Sequence, residues 1–223
     1  MGIEEFDTKE GLIDSSGRGD FGTGYLQILS EAVTGRKISD WIIQQSEPHT
    51  TMISHSEMEE QISVYLKGLF EGKRILDLGC GTQSAGFRIA SFVGAKEYIG
   101  VEKNRAKTAD ENIKEDGPDI PYKIEQDDML TFLEKAENNS FGVVFLVGID
   151  WNIIPDIEYW KKLESQILRV LSENGYLLVG GSYLSYPEEV FKKDFTLDET
   201  YKDAVAKAGT SSPDLFLRKT RSL

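Results

Sequence analysis

An apolar run that breaks into two closely spaced glycines, at residues 74–82, constrains the fold more than any other part of the chain. Its isoleucine and leucine side chains suit a parallel strand that is buried on both faces. Gly79 and Gly81 then allow a tight turn and a close approach of the backbone to a ligand, because neither carries a Cβ. A helical pattern begins directly afterwards, so its free N–H groups would point into the turn. The stretch therefore predicts a buried strand that ends in a ligand-binding turn.

From residue 74 onwards, segments with strand character alternate with segments of helical spacing, which is typical of a doubly wound α/β fold with a mostly parallel sheet. The predicted strands are 74–79, 97–102, 122–126, 143–147, 176–179 and 214–219. The predicted helices are 83–93, 104–115, one after Asp128 as N-cap, one from about Pro155 that stops at Gly175, and the pieces 187–194 and 198–208. Strand 143–147 is the most continuously apolar, so it should lie near the middle of the sheet. We expect a Rossmann-like sheet of about six to seven strands, in which one of the two closing strands is short or lost.

The chain before this core, residues 1–72, is predicted to be a flexible N-terminal segment followed by a helical cover, and residues 73–223 the main domain. The first part, 1–23, is polar and rich in glycine. A capping box of Ser56 and Glu59 starts a helix that leads into the first strand. Such a helical segment cannot form a core alone, so we expect it to pack on the α/β body and partly cover the ligand site.

Charge and cysteine content narrow the possible partners. The formal net charge is −13, from 25 basic and 38 acidic residues, which disfavours nucleic acid as a partner because a negative field repels phosphate. Cys80 is the only cysteine, which excludes an internal disulfide and a metal site built from cysteines. No apolar run approaches the roughly 20 residues that span a bilayer, and the first residues do not resemble a signal peptide. We expect a cytoplasmic protein without a membrane partner.

Acidic residues stand at the carboxyl ends of three consecutive predicted strands, where doubly wound sheets bind their ligands. Asp77 lies within the first strand, where its burial is costly unless it is hydrogen-bonded or faces a cationic ligand. Glu102 follows Gly81 by 21 positions, near the offset at which an acid reaches a ribose. After the third strand, polar and apolar side chains are placed to bind an adenine, namely Asp127, Asp128, Met129 and Leu130. Taken singly, Glu102 is equally explained as a turn residue and Asp128 as a helix cap.

With the acid and the two glycines in this order, the segment resembles motif I of the class I S-adenosylmethionine-dependent methyltransferases, whose usual form is Asp-x-Gly-x-Gly-x-Gly. Gln83 stands where the third glycine is usual. The resemblance covers residues 73–180 and implies that the glycines line the methionine end of the cofactor, Glu102 the ribose and Asp127 the adenine edge. Asp77 is implied to support the amino group or the glycine loop. The expected cofactor-binding residues are Asp77, Gly79, Cys80, Gly81, Glu102, Asp127, Asp128, Met129 and Gly148.

The implied reaction is an in-line displacement at a methyl group on a sulfonium. Much of its rate comes from holding the nucleophile near the methyl group in a site without water, and a base is needed only if the acceptor keeps its proton. The loop after the fourth strand, 148–155, is the expected acceptor site; Asp150 and His49 are candidate bases, and Trp151, Asn152 and Tyr25 candidate substrate contacts. Strand five ends in glycines where metal-dependent catechol-type relatives carry an Asp-Asn pair, which favours catalysis without a metal.

The sequence thus predicts a methyltransferase domain with an N-terminal helical cover, in which a small-molecule acceptor is favoured. A protein acceptor stays open, above all a basic one attracted by the negative field. Two alternatives of other classes also stay open: a non-catalytic nucleotide-binding scaffold that keeps the fold, and an NAD-dependent oxidoreductase.

Overall fold

The computed structural model describes residues 64–82, 84–149, 154–180, 187–207 and 214–218. Its strands are β1 Arg74–Leu78, β2 Glu97–Val101, β3 Tyr122–Glu125, β4 Phe141–Val147, β5 Leu171–Gly180, β6 Phe195–Leu197 and β7 Asp214–Arg218. Its helices are α1 (64–70), α2 Ala85–Phe92, α3 Ala106–Asp116, α4 Met129–Lys135, α5 Ile157–Val170, α6 Glu188–Phe191 and α7 Glu199–Lys207. Among the described residues, no helix is both long and apolar enough to cross a membrane.

The seven strands form one sheet in the order β3-β2-β1-β4-β5-β7-β6. Neighbours from β3 to β5 are parallel, and β7 pairs antiparallel with both β5 and β6. The predicted mostly parallel, doubly wound fold is confirmed, and β4 lies in the middle of the sheet as its apolar sequence indicates. Strand order reverses between β1 and β4, so the crevice at the carboxyl ends of these strands is where such a sheet binds ligands.

Both faces of the sheet are covered by helices, which is why its strands are apolar on both sides. On one face, residues of α1, α2, α3 and α7 join a buried cluster with Ile75 and Phe145. On the other, α4, α5 and α6 pack with Leu76 and Leu78. Because side chains alternate along a strand, Asp77 lies on the same face as Ile75, beneath α2. The fold thus directs this acid into the layer between β1 and α2.

Helix α1 is the part of the expected N-terminal cover that the structure describes, and it packs on the α/β body. The ring of Phe70 lies 6.0 Å from that of Phe145 and 5.8 Å from that of Tyr176. The hydroxyl of Tyr65 donates a hydrogen bond of 2.8 Å to Asp198, beside α7. These contacts fix the chain immediately before β1. The capping box and the rest of the predicted cover lie outside the described residues.

The largest difference from the predicted boundaries is at the end of α5 and the start of β5, whereas the expected short closing strand is present. Helix α5 ends at Val170 rather than at Gly175, because Leu171 already pairs with Phe141 in the β4–β5 ladder. Leu171 fits the apolar spacing of the helix, and it is also fully buried as a strand residue. The apolar spacing therefore did not reveal that the helix ends before Leu171. The second closing strand, β6, is present but has only three residues, between two segments predicted as helical. Its pairing with β7 is a long-range contact that such a short segment does not encode locally.

Candidate functional site

The glycine turn after β1 has the conformation that its sequence predicts. Gly79 and Gly81 have φ angles of +73° and +61°, a region that residues with a Cβ rarely adopt. The backbone N–H groups of Gly79 and Cys80 both donate to the carbonyl of Val101, over 2.9 and 3.1 Å. A Cβ placed on Gly81 would meet no atom of the described residues within 4 Å. The turn is therefore held against the end of β2, and the part of the chain that the structure describes leaves the space beside Gly81 open.

Beneath this turn lies a buried carboxyl group. Asp77 is only 3% exposed, and the hydroxyl of Tyr98 donates a 2.7 Å hydrogen bond to its Oδ2. Burial raises the pKa of Asp77 to about 7; the bond from Tyr98 opposes this rise, and the nearby charge of Glu102 adds to it. Tyr98 thus supplies the hydrogen bond that burial of this acid requires. The group is poised to change its charge near neutral pH.

Gly86, in the first turn of α2, makes room for this carboxyl group. A Cβ on Gly86 would lie 2.0 Å from Oδ2 of Asp77 and 3.2 Å from the hydroxyl oxygen of Tyr98. Close packing of the helix on the strand is one role of the last glycine in nucleotide-binding turns. Gly86 fills that role three positions after Gln83. Gln83 occupies the position of the third glycine of the usual motif and lies outside the described residues.

Glu102 follows β2 and is partly exposed at the predicted ribose position. Its Oε1 accepts hydrogen bonds from the backbone N–H groups of Asn104 (3.0 Å) and Arg105 (3.3 Å). It is therefore a turn residue in the described structure. Both bonds end on one oxygen, and a carboxylate offers about four acceptor sites, so the group retains capacity for ribose hydroxyls.

The end of β3 carries two acids that already have protein partners. Oδ1 of Asp128 accepts from the N–H of Leu130 at 3.0 Å, which confirms it as the N-cap of α4, and its Oδ2 lies 3.4 Å from Nζ of Lys103. Oδ2 of Asp127 accepts from Nζ of Lys135 at 2.7 Å, and this bond holds the pKa of Asp127 below its usual value. Both acids are structural, and each keeps acceptor positions that a ligand amino group can use.

Met129 and Ile149 bring the ends of β3 and β4 to the turn. The sulfur of Met129 would lie 3.9 Å from a Cβ on Gly79, and Cδ1 of Ile149 would lie 2.9 Å from it. Met129 is 9% exposed. The two side chains therefore form an apolar wall beside Gly79.

The thiol of Cys80 packs towards the sheet. A Cβ on Gly100 of β2 would lie 2.8 Å from its Sγ, so this glycine makes space for the side chain. Burial raises the pKa of the Cys80 thiol, with Asp77 and Glu102 adding to the effect. Cys80 therefore contributes its backbone to the turn, while its side chain packs in the core.

The expected acceptor loop, 148–155, is anchored at both described ends. Gly148, with φ +83°, donates its N–H to the carbonyl of Gly180 at 3.0 Å. At the other end, Nε1 of Trp160 donates to the carbonyl of Ile154 at 2.8 Å. Because Ile149 contacts the glycine turn, the loop starts beside the predicted cofactor site. Five sequence-predicted residues lie outside the described residues and stay predictions, namely Tyr25, His49, Asp150, Trp151 and Asn152.

Three residues that shape the turn were not predicted from the sequence: Gly86, Tyr98 and Ile149. A glycine inside a helical segment next to a motif is a signal of close packing, so Gly86 was open to prediction. A tyrosine in a buried strand needs a partner for its hydroxyl, which is a weaker signal for Tyr98. Nothing in the local sequence around Ile149 indicates which strand end it contacts.

The comparisons with known proteins identify the family and the fold. Residues 69–214, more than half of the chain, match the sequence model of the family described as a methyltransferase domain. A search of curated proteins finds no match.

Solved structures share the fold at low sequence identity. A candidate sarcosine dimethylglycine methyltransferase from Galdieria sulphuraria is 12% identical, with 89% of this chain and 100% of that chain covered and a TM-score of 0.53. The candidate methyltransferase YhhF from Escherichia coli is 12% identical, with coverages of 74% and 86% and a TM-score of 0.51. The PH0226 protein from Pyrococcus horikoshii is 14% identical, with coverages of 82% and 100% and a TM-score of 0.51.

The matched family model, the doubly wound seven-stranded sheet and the acid-flanked glycine turn lead to one assignment. The chain belongs to the class I S-adenosylmethionine-dependent methyltransferases.

Proposed function

We propose that the carboxyl ends of β1, β2 and β3 bind S-adenosylmethionine. The methionine end lies over the glycine turn, the ribose hydroxyls donate to Glu102, and the adenine lies beside the end of β3. The cofactor contacts are Gly79, the backbone of Cys80, Gly81, Glu102, Asp127, Asp128, Met129 and Gly148, with Asp77 supporting the turn from below. The observation that carries this proposal is the open turn beside Gly81, with a buried acid beneath it and Glu102 at the next strand end.

Charge supports a cationic cofactor over a dinucleotide. Burial raises the pKa of Asp77, and the nearby negative charge of Glu102 adds to the rise. A sulfonium and an ammonium group relieve the cost of ionising Asp77, whereas the two phosphates of NAD add to it. The residues around the turn therefore suit S-adenosylmethionine and disfavour the oxidoreductase alternative.

When bound, the cofactor supplies a methyl group on a sulfonium for in-line displacement. The protein's part in this reaction is positioning. Glu102 orients the ribose, the glycine turn admits the methionine end, and Met129 and Ile149 exclude water from one side. This chemistry requires no metal, since the bond from the methyl carbon to the sulfonium sulfur breaks as the acceptor bond forms, and the neutral thioether S-adenosylhomocysteine is a good leaving group.

The acceptor is proposed to bind against the loop at 148–155, which begins where Ile149 covers Gly79. Asp150 orients or deprotonates the acceptor, Trp151 and Asn152 line its pocket, and His49 is the alternative base. A small molecule is favoured, because residues 1–72 are long enough to enclose a compact acceptor, and Tyr25 closes over it.

The cofactor assignment is tested by replacing Glu102 with alanine and measuring the affinity for S-adenosylhomocysteine by titration calorimetry. Removing a charged hydrogen-bond partner of the ribose should weaken binding by more than about tenfold. Glu97→Ala is the matched control, because Glu97 stands at the opposite end of β2, where it pairs with Arg74 at 2.7 Å. Its affinity should equal that of the wild type. An unchanged affinity in Glu102→Ala refutes the ribose role.

The acceptor class is tested by incubating the protein with methyl-labelled cofactor and a cell extract divided into metabolite and protein fractions. We expect label in the metabolite fraction, dependent on the intact protein. Label in a protein band instead would identify a protein acceptor. Cofactor binding without transfer to either fraction would contradict the proposed transferase reaction.

A further inference from the structure

The residue at the end of the glycine turn has an unusual backbone conformation. Ser84, directly after Gln83, has φ +52°, which is unfavourable for a residue with a Cβ, and it is only 4% exposed. As the N-cap of α2, a serine normally accepts a hydrogen bond from the first turn of the helix. Ser84 makes no such side-chain bond. Its conformation and its hydroxyl therefore need another explanation.

A contact with α3 explains both the backbone conformation of Ser84 and the orientation of its hydroxyl. The hydroxyl of Ser84 donates a 2.6 Å hydrogen bond to Oδ2 of Asp116. Arg88 of α2 binds the same carboxylate with two N–H groups, over 2.8 Å to Oδ2 and 3.1 Å to Oδ1. The side chains of Arg88 and Asp116 are 21% and 16% exposed, so this pair is less screened than an ion pair at the surface. Asp116 thus ties the start of α2 to the end of α3.

A second bond from α3 holds the other side of position 83. Nδ2 of Asn112 donates to the backbone carbonyl of Thr82 at 2.5 Å. Asn112 and Asp116 are four residues apart, so they lie on the same face of α3. Together they form hydrogen bonds with Thr82 and Ser84, the residues on either side of Gln83.

Asp116 breaks a local rule of helix design. It is the last residue of α3, where the negative end of the helix dipole disfavours an anion. A residue that conflicts with its local context is expected to serve a contact elsewhere. The contact here is with Ser84 and Arg88, at the exit of the turn.

We propose that Asn112 and Asp116 are positioning residues for the cofactor. They hold the exit of the turn with Ser84 at positive φ, and they leave the first N–H groups of α2 facing the methionine end. They act through Thr82 and Ser84 and do not touch the cofactor. The inference rests on the proposed binding of S-adenosylmethionine, because it assigns the turn to the methionine end of that ligand.

The test compares two ligands that differ at that end. S-adenosylhomocysteine carries the amino-acid chain, whereas methylthioadenosine has the same adenosine half without it. In Asp116→Ala and Asn112→Ala, the affinity for S-adenosylhomocysteine should fall about tenfold, the loss of one well-made polar contact. The affinity for methylthioadenosine should stay within about twofold, because Glu102 is untouched. The matched control is Asp110→Ala on the same helix, whose carboxylate binds Lys114 and Tyr122 away from the turn; both affinities should be unchanged.

A rescue variant separates positioning from general stability. Since glycine adopts positive φ without strain, Ser84→Gly added to Asp116→Ala should restore much of the affinity for S-adenosylhomocysteine. Equal losses for both ligands, or no loss for either, would overturn the inference, as would failure of the rescue. If the wild-type protein binds neither ligand, the proposed cofactor site itself is wrong. If Asp116→Ala alone does not fold, the same two affinities are compared in Asn112→Ala and in the variant that combines Asp116→Ala with Ser84→Gly.

Discussion

Gly86→Ala tests how the buried acid is accommodated under α2. In an ordinary helix, this substitution stabilises by about 1 kcal/mol, because alanine is the better helix former. Here the new Cβ would lie 2.0 Å from Oδ2 of Asp77 and 3.1 Å from its Cγ. A contact below 3.0 Å forces movement, and neither neighbour moves easily, because Asp77 is paired within β1 and Tyr98 within β2.

The magnitude follows from two losses and one gain. Overpacking a core costs about 1–3 kcal/mol, and losing the 2.7 Å bond from Tyr98 to Asp77 costs about 1 kcal/mol more. Against the gain in helix propensity, we expect Gly86→Ala to lower the free energy of unfolding by about 2 kcal/mol. For a chain of this length, that corresponds to a fall in Tm of roughly 4–8 °C.

The assay is urea denaturation followed by circular dichroism, with a matched control in the same protein. Gly68 lies in α1, and a Cβ there would meet no atom within 4 Å among those of residues 64–218 that the structure describes. Gly68→Ala should therefore raise the free energy of unfolding by up to about 1 kcal/mol. Adding Asp77→Ala to Gly86→Ala removes the clash, so the double variant should be less destabilised than the sum of the single ones. A Gly86→Ala protein as stable as Gly68→Ala would refute this account of the packing.

Two further predictions concern the buried acid and the acceptor loop. The pKa of Asp77 rises from 3.8 to about 7 on folding, so between these pH values the native state binds more protons than the unfolded state. The free energy of unfolding should therefore fall as the pH increases over this range, by up to roughly 4 kcal/mol. Asp77→Asn should remove that part of the slope in urea titrations at pH 4.5 and 7.5; Glu164, whose pKa is also raised to about 7, is present in both proteins and cancels. Trp160→Phe removes the donor to the carbonyl of Ile154 and should destabilise by about 1–2 kcal/mol in the same assay, with a higher KM for the acceptor. A KM equal to that of the wild type would argue against an acceptor site at this loop.

The parts of the fold that the sequence predicted are those encoded by local patterns. The apolar run of β4 and the glycine turn after β1 each carry their signal within a few residues. The end of α5 and the short strand β6 depend on partners distant in sequence, Phe141 and β7. Such pairings cannot be found from periodicity alone, because a buried leucine satisfies a helix and a strand equally.

The same distinction applies to the site. Asp77 and Glu102 were found because an acid in an apolar strand and an acid at a fixed offset are visible in the sequence. The groups that hold them are tertiary neighbours: Tyr98 lies 21 positions from Asp77, and Asp116 lies 32 positions from Ser84. The latter pair meets where the end of α3 reaches the start of α2, a tertiary contact that sequence spacing does not indicate.

The most direct test of the cofactor assignment is an equilibrium titration of the wild-type protein with S-adenosylhomocysteine and, separately, with NAD. The acid-flanked turn predicts saturable one-site binding of S-adenosylhomocysteine and no binding of NAD. Binding of NAD without binding of S-adenosylhomocysteine would contradict the account.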